Sequence, residues 1–276
     1  MNFTVITDTI DRWSSLGVGP AEVQQWPLMN LQHCLLVTLM YYVVVFILTQ
    51  IMKNKKEPLE LKVYSQLHNV CMVAISLYMG LEYLRLIFHD NLKLYNNKIG
   101  SGPEYLPHAR IQWIFYLSKI PEWNDTFIMI MKKNFRQVSV LHLYHHGSIF
   151  VFSYMGTRFI PGGDCWLAAF INSWVHVVMY SYYFCAPLAK NPNPNIFVKM
   201  IVKMKMFITM GQLIQFLIVF SRDCFVLYDH YINGRPWCHQ CGPEFMYWSE
   251  LFYMTTMVAL FLNFFIKSYT PRRPSA

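Results

Sequence analysis

Residues 141–148 read LHLYHHGS and place three histidines within five residues, at His142, His145 and His146. Because these positions are spaced i, i+3 and i+4, a helix would direct all three side chains toward one face. Apolar residues extend on both sides of the segment, so the sequence predicts that this helix lies in a membrane. Ionisable groups inside such a helix are costly, and they indicate a function or a partner.

The composition of the whole chain supports a membrane location. The 276 residues are 55% hydrophobic and only 14% charged, whereas soluble domains are about 25% charged. No linker or repeat separates a second domain, so residues 1–276 are predicted to form one all-α integral membrane domain. Windows of about 20 residues predict seven transmembrane helices. These predicted spans cover residues 32–52, 67–89, 111–131, 138–156, 164–186, 206–221 and 246–266.

The basic residues indicate the orientation. With seven spans the loops alternate between two sides, and one side carries 14 basic residues while the other carries 7. The positive-inside rule assigns the richer side to the cytosol, which places the N-terminus outside or in a lumen and the C-terminus in the cytosol. Residues 1–30 lack a basic stretch followed by an apolar core, so no cleavable signal peptide is predicted. A glycosylation sequon at Asn2 would lie on the lumenal side.

Polar stripes of helical period occur in four consecutive spans, the third to the sixth. The simplest arrangement turns the four stripes toward a shared interior, which predicts a functional cavity. Pro121 is expected to kink the third span, whose charged residues also fit a purely structural ion-pair network. The stripes consist of Lys119, Glu122 and Asp125; His142, His145 and His146; Asn172, His176, Tyr180 and Tyr183; and Thr209, Gln212 and Gln215.

Three functions fit such a cavity. Clustered histidines suit iron or zinc, which favours a metal-dependent lipid oxygenase or desaturase with His68 as a further ligand, although the additional histidine clusters of a di-iron site are missing. A seven-span transporter also places polar residues at mid-membrane. Acyl transfer is the third, because imidazole is both nucleophile and base near neutral pH and a dry cavity would protect an acyl-imidazole from hydrolysis.

Four motifs resemble those of the eukaryotic very-long-chain fatty acid elongases (3-oxoacyl-CoA synthases). KIPEWNDT (119–126) is similar to their KxxExxDT, and QVSVLHLYHH (137–146) to QxxxLHxxHH. NSWVHVVMYSYY (172–183) is similar to NxxxHxxMYxYY, and TMGQLIQF (209–216) to TxxQxxQF. The motifs occur in the family order, one per predicted span, and the resemblance covers most of the chain.

The resemblance implies a seven-span protein of the endoplasmic reticulum membrane, in which six helices form an inverted barrel around an acyl tunnel. It implies condensation of acyl-CoA with malonyl-CoA to 3-oxoacyl-CoA, CO₂ and CoA, by a ping-pong mechanism through an acyl-histidine and without a metal or other cofactor. The implied partners are the lipid bilayer, the reductases and dehydratase of the elongation cycle, and a second copy of the chain, but no nucleic acid. Gln137 resembles the branch that elongates polyunsaturated chains.

The resemblance also assigns roles to residues. His145 would be the acylated nucleophile and His176 would assist transfer or malonyl activation. His142 and His146 would orient and polarise, and Asn172 would hold a carbonyl or an imidazole. The other stripe residues would bind substrate: Lys119, Glu122, Asp125, Tyr180, Tyr183, Thr209, Gln212 and Gln215. Basic residues of the predicted cytosolic mouth would do so as well: Lys132, Lys133, Arg136 and Lys203, with Lys199 and Lys205 nearby. These basic residues also fit the topology signal alone.

Three further features lie outside the four motifs, and the last two depart from the family pattern. Cys238 and Cys241 form a single Cys-x-x-Cys, which fits a disulfide or two free thiols better than a zinc or redox site. No cysteine lies between the second and third spans, so no disulfide can join that loop to the Cys-x-x-Cys loop. The C-terminus carries Arg272 and Arg273 rather than the dilysine retrieval signal.

Overall fold

The computed structural model describes residues 21–189 and 193–269, and within those ranges it consists of helices and connecting loops. Asn2, Lys190, Arg272 and Arg273 lie outside the described residues. The α-helices found in the described residues are α1 (Leu31–Asn54), α2 (Lys62–Asp90), α3 (Leu106–Glu122), α4 (Asn124–Met131), α5 (Val140–Phe159), α6 (Trp166–Leu188), α7 (Ile196–Lys203), α8 (Lys205–Tyr231) and α9 (Glu244–Tyr269).

Four of the helices in the described residues, α1, α2, α8 and α9, are long and apolar enough to cross a membrane by length and composition. The other three predicted spans fall on α3 with α4, on α5 and on α6. These helices carry the histidine and carboxylate motifs, and polar residues lower the mean hydropathy of the segments that contain them. The all-helical fold is confirmed, whereas the seven-span topology and the inverted barrel stay predictions.

The third predicted span is not one helix. The structure breaks residues 111–131 at Trp123, so that α3 ends at Glu122 and α4 begins at Asn124. Pro121 lies in the last turn of α3 and has no N–H for the helical ladder, and the Asn124 side chain donates to the Pro121 carbonyl at 3.1 Å. The break separates the charged residues of this span, because Glu122 and Asp125 now belong to different helices.

The sixth predicted span is longer than its apolar run. Helix α8 continues to Tyr231 rather than ending near residue 221. Helix α5 likewise extends past its predicted end, to Phe159. Arg222 therefore lies inside α8 and Arg158 inside α5, and both are buried. The seven basic residues counted on the less basic side included these two as loop residues, and their assignment to loops is wrong. The orientation of the termini stays a prediction.

Six of the helices pack in a closed cyclic order. Helix α2 packs against α3 and α6, α6 against α8, and α8 against α9; α9 then packs against α5, and α5 against α3. Helix α1 stands outside this cycle and packs against α4 and α5. Lys119, Glu122, His146 and His176 are buried, so the cycle turns the polar motifs inward, as their helical period predicted.

The start of α5 is fixed by a local signal. Ser139 has extended backbone at the N-cap position, and its hydroxyl accepts a hydrogen bond from the His142 N–H at 3.2 Å. Serine is a preferred N-cap residue because this bond satisfies an otherwise free backbone donor. The cap starts the helix at Val140, so His142 lies in its first turn and His145 and His146 lie one turn further on the same face.

A cluster of buried charged residues connects the helices at the end of the six-helix cycle opposite the histidine motif. We call it the Arg222 cluster, and it comprises Asp164, Arg222, Asp223 and Glu250. The Arg222 guanidinium lies 2.8 Å from Asp223 and 2.8 Å from Glu250, and it also donates to the Asp164 carbonyl. Tyr247 donates to the Asp164 carboxylate at 2.8 Å. Buried charges need such partners, so the cluster holds α8 and α9 to the loop before α6.

Cys238 and Cys241 are joined in a disulfide. Their loop is held to the segment before α3, because the Ile99 N–H donates to the Gln240 carbonyl at 2.8 Å. The disulfide interpretation is therefore confirmed over a zinc site, since both sulfurs are engaged with each other.

Candidate active site

Helix α5 brings its three histidines together. The rings of His142 and His146 lie 4.3 Å apart between centroids, and those of His145 and His146 lie 5.3 Å apart. His146 is buried, whereas His142 and His145 are partly accessible. The i, i+3, i+4 spacing therefore produces one imidazole patch on the inward face of α5.

The three rings are held differently. His142 Nε2 shares a 2.8 Å hydrogen bond with the Thr126 hydroxyl, and Thr126 in turn bonds to the Tyr41 hydroxyl of α1 at 2.9 Å. Trp123 donates to the His146 carbonyl at 2.9 Å and so anchors the helix backbone there. Among the described residues none forms a hydrogen bond to the ring of His145. His145 therefore keeps its ring nitrogens available for a substrate.

An ion pair faces the histidines from α3. Lys119 Nζ lies 2.6 Å from Glu122 Oε1, and both side chains are only 1% exposed. The same carboxylate oxygen lies 3.4 Å from His176 Nδ1 on α6, and Lys119 also donates to Asn172 at 3.3 Å. Glu122 thus stands between an ammonium and an imidazole. It lies within ion-pair distance of His176 and can stabilise positive charge that develops on that ring.

Asp125 belongs to a different set of contacts. One of its oxygens lies 2.9 Å from His68 Nε2 on α2, and the other accepts a 2.7 Å hydrogen bond from the Tyr180 hydroxyl. The Tyr180 ring stands edge-on to His176 at 5.5 Å. Of the three charged residues of this span, only Lys119 and Glu122 pair with each other. Asp125 has its own partners because the helix break at Trp123 separates it from them.

Only one residue of the polar stripe on α8 contacts the residues around Lys119. Gln215 accepts a long hydrogen bond from the Asn172 amide at 3.5 Å, which links it to the Lys119 pair. Gln212 instead contacts the sulfur of Met179 at 3.5 Å, and Thr209 bonds to the Lys205 carbonyl at 3.2 Å. Tyr183 is 37% exposed and packs edge-on against Tyr180. Gln212, Thr209 and Tyr183 therefore lie around the histidine patch without touching it.

The basic residues divide into two groups. Lys132 donates to the Ser65 hydroxyl at 2.7 Å, and Lys133 donates to the Lys56 carbonyl at 3.2 Å, so both tie the start of α2 and the end of α1 to α4. Arg136 and Lys203 are exposed. Of the basic residues assigned to substrate binding, these two are the ones free to meet a phosphate in solution.

Three residues of the site have contacts that the sequence did not predict. Thr126 ends the first motif, directly after Asp125, but the sequence assigned it no role. His68 was considered only as a metal ligand, and its partner is instead Asp125. No local signal points to Tyr41, because it approaches from 85 residues away on α1.

The inward faces that carry the polar motifs continue into an apolar cavity of about 60 Å³. On α5 the face of His145 leads to Ile149, Phe152 and Gly156 at helical spacing, and all three line the cavity. On α6 the face of Asn172 leads to Ala168, where a small side chain leaves room. The polar face that carries His145 therefore continues along α5 into an apolar face, the two surfaces that a substrate with a polar head and an apolar tail would need.

Within the described ranges no group of three or more His, Cys, Asp or Glu side chains is placed to hold one metal ion. His142 bonds to the Thr126 hydroxyl, and His176 lies beside the Glu122 carboxylate. The imidazole nitrogens therefore do not converge on one point. The ligand geometry thus gives no support to the oxygenase alternative.

Comparison with known sequences agrees with this geometry. The profile of the GNS1/SUR4 (ELO) family matches residues 26–276. The chain belongs to this family. It is 30% identical to fatty acid elongase 6 of Leishmania major over 97% of this chain and 68% of that protein. It is 29% identical to very long chain fatty acid elongase 4 of Homo sapiens, over 99% of this chain and 83% of the relative. Very long chain fatty acid elongase 5 of Mus musculus is 29% identical, over 94% and 82% respectively.

Proposed function

We propose that this protein is a fatty acid elongase of the endoplasmic reticulum membrane that condenses a long-chain acyl-CoA with malonyl-CoA. Family membership and the elongase names of the relatives support the reaction class. The observation that carries the assignment is the ring of His145, which has no hydrogen-bond partner among the described residues and shares its helix face with Ile149, Phe152 and Gly156 of the cavity lining. A nucleophile at the mouth of a tail-binding cavity is what acyl transfer requires.

In the first step a ring nitrogen of His145 attacks the thioester carbonyl of the acyl-CoA. A C–N bond forms and the C–S bond breaks, and the departing CoA thiolate takes up the proton that the imidazole loses. The product is an acyl-imidazole and free CoA. Bound substrate would displace water from around His145 and so protect this intermediate from hydrolysis.

In the second step malonyl-CoA loses CO₂, and the electron pair of the broken C–C bond becomes a carbanion. The carbanion attacks the acyl carbon, so that a C–C bond forms while the C–N bond to His145 breaks. The imidazole regains its proton from solvent and 3-oxoacyl-CoA leaves. Because decarboxylation supplies the carbanion, no strong protein base is required.

The neighbouring residues have supporting roles in this scheme. His176 is held beside Glu122 at 3.4 Å, so it can donate a hydrogen bond to the enolate oxygen of the malonyl unit while Glu122 stabilises the charge on the ring. Lys119 keeps Glu122 ionised and also fixes Asn172, whose amide can hold the acyl carbonyl. His142 and His146 orient the patch through their contacts with Thr126 and with each other.

We place CoA at the end of the molecule where α5 begins. Arg136 and Lys203 are exposed there, and cationic side chains form charge-assisted hydrogen bonds with phosphates. This end would face the cytosol, with the N-terminus in the lumen and six of seven spans enclosing the acyl tunnel. The reductases and dehydratase that process the product are the expected partners, together with a second copy of the chain.

The acyl chain is proposed to be polyunsaturated. The support comes from Gln137 ahead of the histidine motif, where the sequence resembles the branch of the family that elongates such chains. Comparison of a C18 polyunsaturated with a C16 saturated acyl-CoA tests this preference, and faster elongation of the saturated chain would contradict it.

The central experiment is intact mass spectrometry of the purified protein after incubation with acyl-CoA alone, followed by peptide mapping. We expect one acyl adduct on His145 that disappears when malonyl-CoA is added. His145→Ala should fold, lose the adduct and lose condensation, whereas His89→Ala, which changes an exposed histidine, should behave as the wild type. Full activity of His145→Ala would overturn the nucleophile assignment, and activity without an adduct would favour a direct ternary mechanism.

A further inference from the structure

The apolar cavity beyond the histidines contains two polar groups that the proposed reaction does not use. Ser153 of α5 and Gln112 of α3 both line the cavity, and their residues are only 4% and 3% exposed. Among the described residues the Ser153 hydroxyl has no hydrogen-bond partner. A buried polar atom without a partner is uncommon in folded proteins and calls for a specific explanation.

The Gln112 side chain is oriented toward the same space. Its carbonyl oxygen accepts a 2.7 Å hydrogen bond from the buried Tyr83 hydroxyl, which fixes the amide and turns its NH₂ group toward α5. A Cβ built on Gly156 would lie 3.2 Å from that nitrogen, so glycine is the residue that lets the amide approach the α5 backbone. The lining also contains three other polar side chains, and each has a partner: Glu250 pairs with Arg222, Cys165 donates to the Ile160 carbonyl, and Tyr253 accepts from Ser148. Ser153 therefore differs from them in having a hydroxyl without a partner, and the Gln112 amide lies beside it in the same lining.

The position of this donor pair can be converted into a position on an acyl chain. Ser153 follows His145 by eight residues on one helix, which corresponds to about 12 Å at 1.5 Å per residue. An extended chain advances about 1.2 Å per bond, since a residue with three backbone bonds spans at most 3.3–3.6 Å. A chain attached at His145 would therefore bring roughly carbons 8 to 11 level with Ser153.

A saturated chain offers these two donors nothing to bond. A cis double bond at that position presents π electrons, which accept weak hydrogen bonds from O–H and N–H groups. Ala168 also lines the cavity, and its small side chain leaves space for the bend of such a chain. We propose that Ser153 and Gln112 form a recognition subsite for a cis double bond near the middle of the acyl chain. This inference rests on the proposed elongase function and specifies where its substrate selection is made.

The test compares two acyl-CoA substrates of equal length, the C18 saturated chain and the C18 chain with one cis double bond at carbon 9. The measured quantity is the ratio of their kcat/KM values in the purified full-length protein with malonyl-CoA. We expect the wild type to favour the unsaturated chain and Ser153→Ala to reduce that ratio about two- to fivefold, the range that weak donor–π contacts provide. A chain with its double bond moved close to the methyl end should lose the advantage in the wild type.

Ser173→Ala is the matched control. Ser173 is also buried, but its hydroxyl donates to the Ala169 carbonyl at 2.7 Å and does not line the cavity. Its substitution should leave the ratio unchanged, and thermal unfolding of both variants checks that they fold. The positional isomers provide an answer that needs no variant at all.

The outcomes separate this inference from the proposed function. Suppose that both C18 chains are elongated and Ser153→Ala does not alter the ratio of their kcat/KM values. That result would assign the hydroxyl to a bound water and overturn the subsite, while the elongase function would stand. A stronger preference for a chain with a hydroxyl at carbon 9 than for the alkene would also overturn the alkene assignment. Failure to elongate any fatty acyl-CoA would overturn the proposed function and the subsite with it.

Discussion

Replacement of Lys119 by methionine should destabilise the protein strongly. Lys119 and Glu122 form an ion pair of 2.6 Å in which both side chains are 1% exposed, and the ammonium also lies 3.9 Å from the ring centroid of Phe115. Methionine preserves much of the side-chain volume but removes the charge. Glu122 would then be a buried carboxylate that faces His176 without its cation.

The magnitude follows from the burial of the pair. Removal of one partner of a buried ion pair costs about 3–5 kcal/mol, because the remaining charge is desolvated and uncompensated. Replacement of both partners by apolar residues of similar volume is often neutral. Lys119→Met should therefore lower the free energy of unfolding by about 3–5 kcal/mol, and a second change of Glu122→Leu should restore most of that loss while activity stays abolished.

The protein contains a matched control for this measurement. Arg85 and Glu82 on α2 form an ion pair with the same i, i+3 spacing and the same 2.6 Å separation, but the side chains are 50% and 25% exposed. Exposed pairs contribute about 0.2–1 kcal/mol. The assay is denaturant unfolding in one detergent, followed by tryptophan fluorescence, for the wild type, Lys119→Met, Arg85→Met and the double variant.

The reasoning is refuted if Lys119→Met costs no more than Arg85→Met. That result would mean that water reaches Glu122, or that the carboxylate takes up a proton without penalty. It would also remove the basis for assigning Glu122 a charged role beside His176. A large loss that Glu122→Leu does not recover would instead show that Lys119 acts through its packing on Phe115.

Three further predictions rest on separate contacts. Gly147→Ala would place a Cβ 2.0 Å from the hydroxyl of the exposed Tyr42 side chain. That hydroxyl would have to leave its 3.2 Å hydrogen bond to the Leu143 carbonyl, at a cost of about 0.5–1.5 kcal/mol. Gly211→Ala in α8, with nothing within 4 Å, should stabilise by up to about 1 kcal/mol, and equal effects in thermal unfolding would contradict this. His68→Ala and Asp125→Asn should each lower kcat, and the double variant should lose less than the sum of the two, since the residues share one 2.9 Å contact. Additive losses would show independent roles. Lys203→Ala should raise KM for malonyl-CoA, less so at high salt, with kcat unchanged; a pure loss of kcat would place this lysine outside CoA binding.

Much of the local structure of the site could be predicted from the sequence. The i, i+3, i+4 spacing of His142, His145 and His146 determines a shared face on any helix, and the structure has that face. Pro121 indicated a distortion, but not that the helix would end at Glu122, one residue after the proline. The consequence for Asp125 could not be predicted, because its partner His68 lies 57 residues earlier in the chain.

Contacts between distant segments explain the other differences. Hydropathy windows ended the sixth span near residue 221 because Arg222 and Asp223 interrupt the apolar run. In the folded chain Glu250 forms an ion pair with Arg222, and the Asp164 carbonyl accepts a hydrogen bond from the same guanidinium. The helix can therefore continue through Arg222 and Asp223. A window along one segment cannot include partners that other segments supply, and it therefore shortens helices wherever buried charges are paired across the fold.

The same limit explains why the helices that carry the chemistry give the weakest membrane signals. Helices α1, α2, α8 and α9 expose apolar side chains outward and meet the length and composition expected of membrane spans. Helices α3, α5 and α6 turn Lys119, His145 and His176 toward the interior of the cycle, where polar groups find partners instead of lipid. A substrate with a polar head and an apolar tail needs both environments within one cavity. The stripes that weaken the hydropathy of these three helices are therefore the feature that makes the interior reactive at one end and apolar at the other.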